Sequence, residues 1–147
     1  MTTNLYGLGL KAIVTQDVDW ENDTIKVALT NNYVFSAANQ DSHDFWVDVE
    51  GFEVAASGTY AAGGAALTTS APTYNDALNA VLLSATANVV WTDATITATG
   101  AIIYKDTGVN TTSPLLAHIN FNGSKAATDG SFTLDFTTNP VIKITAT

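Results

Sequence analysis

The stretch TITATGAIIYKDTG, from Thr95 to Gly108, decides the fold. Polar and apolar residues alternate up to Tyr104, and a period of two is typical of a β-strand. The alternation predicts one face made of Ile96, Ala98, Gly100, Ile102 and Tyr104, and an opposite face that begins with Thr95, Thr97 and Thr99. At Ala101 and Ile103 the opposite face also becomes apolar, so we expect the end of this strand to be buried on both sides.

The alternation stops at Lys105-Asp106-Thr107-Gly108, where Asp and Gly are typical turn residues. A second apolar run, from Leu115 to Phe121, follows a polar loop. The two runs predict a long hairpin at the centre of a sheet.

The N-terminal residues are harder to assign. Leu5, Leu8 and Ala12 have helical spacing and Asn4 is a candidate cap, but two glycines lie in the same segment and glycine disfavours a helix. Residues 1–16 therefore predict either a short helix or an irregular arm that reaches a neighbouring molecule.

Most other segments of the chain have strand patterns. Strands are predicted at 24–30, 66–69, 80–91, 131–137 and 141–145, an edge strand or bulge at 45–54, and loops at 31–44 and 72–80. Phe132, Leu134 and Phe136 are expected to face the core. Seven to nine short strands joined by turns predict an all-β fold, namely a single-domain antiparallel β-sandwich (jelly-roll- or Ig-like) over residues 1–147.

The charge of the chain argues against several classes of partner. Fourteen acidic residues against five lysines, with no arginine, give a formal net charge of −9. Nucleic acids and anionic membrane surfaces bind clustered Lys and Arg, so we expect neither as a partner. No signal-peptide pattern or long apolar run is present, so a soluble protein is expected, and the absence of cysteine removes thiol chemistry.

An acidic cluster precedes the first predicted strand, with Asp17, Asp19, Glu21 and Asp23 at alternate positions. Calcium loops place oxygen ligands at positions one, three and five, which this spacing matches. Such loops also need Gly at position six and Glu at position twelve, where this chain has Asn22 and Ala28. The alternatives are therefore half a calcium motif and a solvated turn, and we predict no bound metal.

Other polar groups are weaker candidates for chemistry. The group Asp41, His43, Asp44 and Asp48 lacks a ligand set that spacing alone assembles. His118 is predicted to be solvent-facing or hydrogen-bonded rather than a catalytic base. The chain has no G-x-S-x-G, P-loop or dinucleotide fingerprint, so we predict no cofactor and no catalytic residue. For Trp20, Trp46 and Trp91, core anchoring is the default and an interface hot spot is the alternative.

Several stretches together resemble a family of small virion proteins of tailed bacteriophages. They are Leu5-Tyr6, Trp20 before DTIKVALT, Glu53-Val54, Gly58-Thr59-Tyr60, Gly63-Gly64, Val90-Trp91, TIT at 95–97, AIIYKDTG at 101–108 and SPLLAHINF at 113–121. The similarity covers about Leu5 to Thr137, and the last two stretches are its most specific part. The resemblance implies a β-sandwich and a structural, head-decoration or tail role in the virion, with no enzymatic activity.

The resemblance and the charge together lead to a functional hypothesis. We expect a capsid decoration (cement) protein, located in the virion after assembly in the bacterial cytoplasm, that binds the major capsid protein and copies of itself, with a trimer as one arrangement. Leu5, Tyr6, Trp20 and Trp46 are the interface candidates. The alternatives are a tail or neck component, or a carbohydrate- or receptor-binding module that uses Trp46 as an exposed platform beside Asp44 and Asp48.

Overall fold

The computed structural model describes residues 1–146 and contains two antiparallel sheets. The strands are β1 (Thr2–Leu5), β2 (Ile25–Thr30), β3 (Ala65–Ala66), β4 (Thr73–Asn75), β5 (Ala80–Leu83), β6 (Val89–Lys105), β7 (Leu115–Leu134) and β8 (Ile142–Thr145). The larger sheet has the order β1-β7-β6-β2-β3, and the smaller sheet has the order β4-β5-β8. The predicted all-β, sandwich-like fold is confirmed.

The predicted hairpin is the centre of the larger sheet. β6 pairs with β7 on one side and with β2 on the other, from Ile25 opposite Lys105 to Thr30 opposite Gly100. Residues 101–104 are all at most 3% exposed, so the prediction that this part of the strand is buried on both sides is confirmed. Phe132, Leu134 and Phe136 are also buried, as predicted.

The apolar side chains form two clusters, one on each face of the larger sheet. The larger cluster lies between the two sheets and includes Leu83, Ile96, Ile103 and Ile142. The smaller cluster lies on the opposite face and contains Tyr6, Ala28, Tyr33, Trp46, Val49, Ile102, Tyr104 and Leu115. Burial of aliphatic and aromatic side chains at about 25 cal/mol per Å² makes these clusters the main source of stability.

The predicted face of the central strand is wrong at one point. Ile96 and Ala98 belong to the larger cluster, whereas Ile102 and Tyr104 belong to the smaller one. The pairing of β6 with β7 is irregular between Ala98 and Gly100. A bulge of this kind breaks the two-residue period, so the side chains exchange faces there.

At the N-terminus the helix alternative is confirmed and the irregular-arm alternative is wrong. Helix α1 (Gly7–Val14) is present, but Asn4 does not cap it, since the cap residue is Tyr6 and no side chain bonds the first turn. The residues before the helix form β1, which pairs with β7 from Thr2 opposite Asn120 to Leu5 opposite Ala117. The segment is therefore bound in the monomer's own sheet and is not a free arm.

The loop predicted at residues 31–44 contains a short helix. Helix α2 (Ala37–Ser42) begins at Ser36, whose hydroxyl accepts a hydrogen bond from the Asn39 N–H at 3.2 Å. The edge strand predicted at residues 45–54 is wrong, because short 3₁₀ helices occupy Trp46–Asp48 and Glu50–Phe52. Asp48 explains this local choice, since its carboxylate accepts hydrogen bonds from the N–H groups of Asp44 and Phe45, both at 2.9 Å.

Other boundaries differ by a few residues. Strand β4 forms in the predicted loop at 72–80, a third 3₁₀ helix occupies Asn110–Thr112, and the strand predicted at 131–137 is the last part of β7. None of the helices within residues 1–146 has the length and apolar character needed to cross a bilayer.

Candidate functional site

The acidic cluster is a turn that satisfies its own backbone. The Asp19 carboxylate accepts hydrogen bonds from the N–H groups of Glu21 and Asn22, both at 3.1 Å, and from the Asn22 side chain at 2.9 Å. These bonds, led by that of the Asn22 side chain, lower the pKa of Asp19. Its oxygens therefore serve the turn rather than converge on one point.

Asp23 and the backbone of Asp17 attach this turn to the central hairpin. Asp23 accepts from the Asp19 N–H at 2.7 Å and forms an ion pair with Lys105 at 2.8 Å. The Lys105 ammonium also donates to the Asp17 carbonyl at 2.8 Å. In the part of the chain that the structure describes, no three His, Asp or Glu side chains are grouped so as to hold a metal ion. The geometry favours the solvated-turn alternative.

Three of the four interface candidates lie inside the monomer. Tyr6 is fully buried, and Trp20 and Trp46 are each 3% exposed. The Tyr6 hydroxyl donates to the Tyr33 hydroxyl at 2.8 Å, and the Trp20 indole N–H donates to the Ser84 carbonyl at 3.1 Å. For the two tryptophans this arrangement favours the core-anchor alternative over a hot spot.

Leu5, the fourth interface candidate, is half-buried at the end of β1 and packs against the larger cluster. Its carbonyl accepts a hydrogen bond from the Gln40 side chain at 2.9 Å. Leu5 therefore joins the N-terminal strand to helix α2 within one copy of the chain.

The prediction that Trp46 forms an exposed aromatic platform for sugar binding is wrong. The Trp46 ring stacks on Tyr104, with 4.5 Å between ring centroids and 13° between the planes. Of its predicted partners, Asp48 caps the 3₁₀ helix that carries Trp46. The ring is therefore part of the smaller cluster and presents no open face for a sugar to stack on.

His118 differs most from its prediction. It is 2% exposed rather than solvent-facing, and neither ring nitrogen has a hydrogen-bond partner within residues 1–146. Its ring packs against Phe35 at 5.7 Å and against Tyr33 at 5.2 Å, measured between centroids. Loss of hydration lowers the pKa of His118 to about 4, so the ring is neutral at pH 7.

Gly100 provides the space that His118 occupies. A Cβ atom at Gly100 would lie 2.7 Å from His118 Nε2 and 2.7 Å from the Ile119 carbonyl oxygen. Thr30, opposite Gly100 in the neighbouring strand, has a buried hydroxyl that also lacks a partner. The sequence contains no direct signal of this arrangement, because Gly100 and His118 are distant in the chain and their closeness depends on the register of β6 with β7.

A polar cleft of about 460 Å³ lies over the smaller cluster. Its lining residues come from three loops and two strands: Lys26, Trp46, Glu50, Glu53, Ala62, Gly63, Tyr104, Asp106, Gly108 and Asn110. Lys26 and Asp106 form an ion pair at 2.6 Å, and the Asn110 side chain donates to Glu50. The ion pair lowers the pKa of Asp106.

Glu53 holds the loop that closes one side of this cleft. Its Oε1 atom accepts hydrogen bonds from the Tyr60 hydroxyl at 2.8 Å and from the Gly63 N–H at 2.6 Å. Tyr60 Oη in turn accepts from the Leu29 N–H at 3.0 Å. Partial burial raises the pKa of Glu53 against the opposing effect of these bonds. In the sequence, Glu53 stands out only as part of the resemblance and not as a candidate site residue.

A second concave surface lies beside the last part of β7. A groove of about 420 Å³ is lined by Met1, Phe121, Lys125, Ser131, Phe132, Thr133, Leu134 and Asp135. Next to it, the residues of β7 from Asn122 to Ser131 are exposed or half-buried. The groove is partly apolar and adjoins a strand.

Comparison with known proteins found no relative of this chain. No protein-family model, no curated protein and no solved structure matches the chain.

Taken together, the polar groups singled out above act on the chain itself. Asp19, Asp48 and Glu53 accept hydrogen bonds from nearby backbone N–H groups, and Lys26 and Lys105 are engaged in ion pairs with the chain's own aspartates. Chemically, these groups fix loops on a β-sheet scaffold.

Proposed function

We propose that the protein is a structural component of a tailed-bacteriophage virion, and that it acts as a capsid decoration (cement) protein on the outside of the head shell. In this role it binds the major capsid protein and reinforces the shell through many lateral contacts. It is assembled onto the particle in the cytoplasm of the bacterial host.

The observation that supports a structural role is that the polar side chains bind other parts of the same chain. Glu53 ties the Tyr60–Gly63 loop to the sheet, and Asp23 with Lys105 ties the acidic turn to the central hairpin. These interactions stabilise the shapes of loops around a rigid sheet. A protein that works by shape and attachment needs such loops, and this supports a scaffold rather than a reaction centre.

Two further observations support the proposed location. The resemblance to small virion proteins rests chiefly on AIIYKDTG and SPLLAHINF, which form most of the inner hairpin of β6 and β7. The net charge of −9 without arginine is compatible with the outer surface of a shell and unfavourable for a surface that contacts packaged DNA.

The decisive experiment is the copy number of the protein per particle, measured by quantitative mass spectrometry of purified virions against the major capsid protein. Hundreds of copies, in fixed ratio to the capsid protein, are the expected result. A few copies per particle would instead assign the protein to the neck or tail, and its absence from purified particles would refute a virion role.

A binding measurement tests the attachment itself. Purified protein added to heads that lack it is expected to co-sediment with them until the sites are saturated, and to raise the temperature at which the heads release DNA. Heads that already carry the protein are the matched control and should bind no more. Failure to bind DNA-filled heads would contradict the cement role even if the protein is found elsewhere in the virion.

A further inference from the structure

Asn122 is the only one of the twelve asparagines of the chain that is followed by glycine. The backbone nitrogen of the following residue can attack the side-chain amide of an asparagine, and a side chain on that residue hinders the attack. Glycine has no Cβ atom, so the nitrogen of Gly123 is the least hindered of the twelve. By local chemistry, Asn122 is therefore the most reactive asparagine of the chain.

The Asn122-Gly123 pair lies in the largest irregularity of the central hairpin. Ala98 and Gly100 of β6 lie opposite Lys125 and Asn120 of β7, so four residues of β7, at 121–124, face a single residue of β6. β1 pairs with β7 only as far as Asn120. In the part of the chain that the structure describes, neither neighbouring strand pairs with these four residues, and the extra residues of a bulge lie outside the hydrogen-bonded ladder.

The pair is also open to solvent. Asn122 and Gly123 are exposed, and a Cβ atom at Gly123 would meet no atom within 4 Å. Their φ values of 56° and 139° lie outside the extended conformation of a strand. The Asn122 N–H donates to Asn120 Oδ1 at 2.8 Å, a bond that uses neither the Asn122 amide group nor the Gly123 nitrogen. Water can therefore reach the reacting groups, and the backbone beside Gly123 has space to rotate.

We propose that Asn122 is a site of spontaneous deamidation in the folded protein. The Gly123 nitrogen loses its proton to hydroxide and attacks Asn122 Cγ. A bond forms between that nitrogen and Cγ, the bond from Cγ to Nδ2 breaks, and Nδ2 leaves as ammonia after taking a proton from water. Water then opens the succinimide ring at Cγ, which gives aspartate, or at the main-chain carbonyl carbon of residue 122, which gives isoaspartate.

Each conversion changes both the charge and the backbone of the bulge. A neutral amide becomes a carboxylate, so the formal net charge becomes one unit more negative than −9. Isoaspartate also adds one carbon atom to the main chain. Because residues 121–124 lie outside the ladder, the bulge can absorb that atom while the pairing resumes at Lys125. We therefore expect the converted protein to remain folded.

This modification goes beyond the proposed function and does not depend on it. Deamidation is a property of the free protein, whereas the virion role is tested by the number of copies per particle. The two experiments can therefore fail independently.

The first test is peptide mapping by mass spectrometry of the full chain during incubation at physiological temperature. The amide at position 122 should be lost steadily, and faster as the pH rises, because the attacking nitrogen must lose a proton. Asn139 is an internal control, since it is also exposed but precedes Pro140, which has no N–H. An Asn122 that keeps its amide throughout, or a rate that does not respond to pH, would overturn the proposal.

Comparison with the same chain in urea tests the contribution of the fold. If residues 121–124 are as free as their lack of pairing indicates, the folded and the unfolded chain should convert at comparable rates. Conversion that occurs only in urea would refute the proposal, because it would show that the sheet holds the reacting groups apart.

A variant tests the attacking atom. Gly123→Ala keeps the asparagine but adds a side chain beside the nitrogen, so it should show almost no conversion in the time that converts most of the parent. This change falls on a residue of positive φ, and the comparison is therefore also made in urea, where the fold does not matter. Asn110→Gln, at an exposed asparagine that precedes Thr111, is the matched control and should leave the rate at Asn122 unchanged. Equal rates for Gly123→Ala and the parent in urea would exclude attack by this nitrogen.

The effect on the fold is measured on the product itself. Anion-exchange chromatography separates the converted protein from the parent by its added charge. The two forms should melt at the same temperature, and a large decrease for the converted form would contradict the view that the bulge absorbs the additional backbone atom.

Discussion

The ring of His118 lies parallel to the ring of Phe35, with 4° between the planes and 5.7 Å between the centroids. The histidine projects from the sheet, and the phenylalanine belongs to the segment that covers the smaller cluster. Because both ring nitrogens of His118 lack a hydrogen-bond partner in residues 1–146, this buried residue packs as an aromatic ring and gains nothing from its polarity.

His118 makes stability depend on pH. Its pKa of about 4 in the folded protein lies below the ordinary value of 6.5, so between these values the unfolded chain binds a proton that the folded chain does not. Its stabilising contribution is therefore complete above pH 6.5 and declines as the pH falls to about 4, by about 3 kcal/mol in total.

The comparison that isolates this contribution is urea unfolding of the parent and of His118→Phe at several pH values. The variant keeps the ring stack, removes the two unpartnered nitrogens and should lack the decline between pH 6.5 and 4. At pH 7 we expect it to be more stable by about 1 kcal/mol. Parallel curves for the two proteins would contradict the assignment.

Gly9 allows α1 to lie close to β7. A Cβ atom at this position would be 2.1 Å from the Leu115 carbonyl oxygen and 2.8 Å from the Leu116 Cα. Gly9→Ala should therefore lower the free energy of unfolding by about 1–3 kcal/mol, although alanine is ordinarily the better helix former.

Gly7→Ala is the control for this prediction, since its Cβ would meet no atom closer than 3.6 Å. We expect no loss of stability there and a gain of up to about 1 kcal/mol. Chemical denaturation of the two variants measures the difference, and equal effects at both positions would show that helix packing is looser than described.

Glu53 is predicted to act through its oxygen atoms rather than its charge. Glu53→Gln keeps an oxygen that accepts from Tyr60 and Gly63, and should leave stability at pH 7 unchanged or slightly raised. Glu53→Ala leaves those donors without their partner and should cost about 1–3 kcal/mol.

The pH dependence provides a second readout for Glu53. Because its pKa is raised, the folded state favours the protonated form, and stability from this group is present at low pH and declines as the pH rises through its folded pKa. This decline should be missing in Glu53→Gln. Glu21→Ala, a change of an exposed carboxylate in the acidic turn, is the control and should have little effect.

Substitution of Trp46 tests whether this residue belongs to the core or forms a binding platform. Trp46→Ala should destabilise the protein by about 3–5 kcal/mol, because it removes the ring that stacks on Tyr104. Tyr74→Ala, at a side chain that is 59% exposed, should change stability by less than about 0.5 kcal/mol. Thermal melts and a glycan-binding screen of both variants are the measurements. A Trp46→Ala variant that melts like the parent and loses sugar binding would refute the core assignment.

The sequence pattern predicted the hairpin, β2 and the buried phenylalanines because each depends on alternation within a few residues. It failed at residues 45–54, where the Asp48 carboxylate stabilises a 3₁₀ helix that hydrophobicity alone does not indicate. It also failed for His118, since burial on that face depends on a covering segment distant in the chain. The sequence pattern does not indicate the role of Glu53, because its partners, Tyr60 and Gly63, are brought to it by a loop and not by a regular repeat.

The exchange of faces between Ala98 and Gly100 makes this fold sensitive to chain length. Removing one residue there would turn Ile102 and Tyr104 toward the space between the sheets, and would turn Ala101 and Ile103 away from it. The protein should therefore tolerate many changes of side chain along β6 but no insertion or deletion of a single residue at its middle.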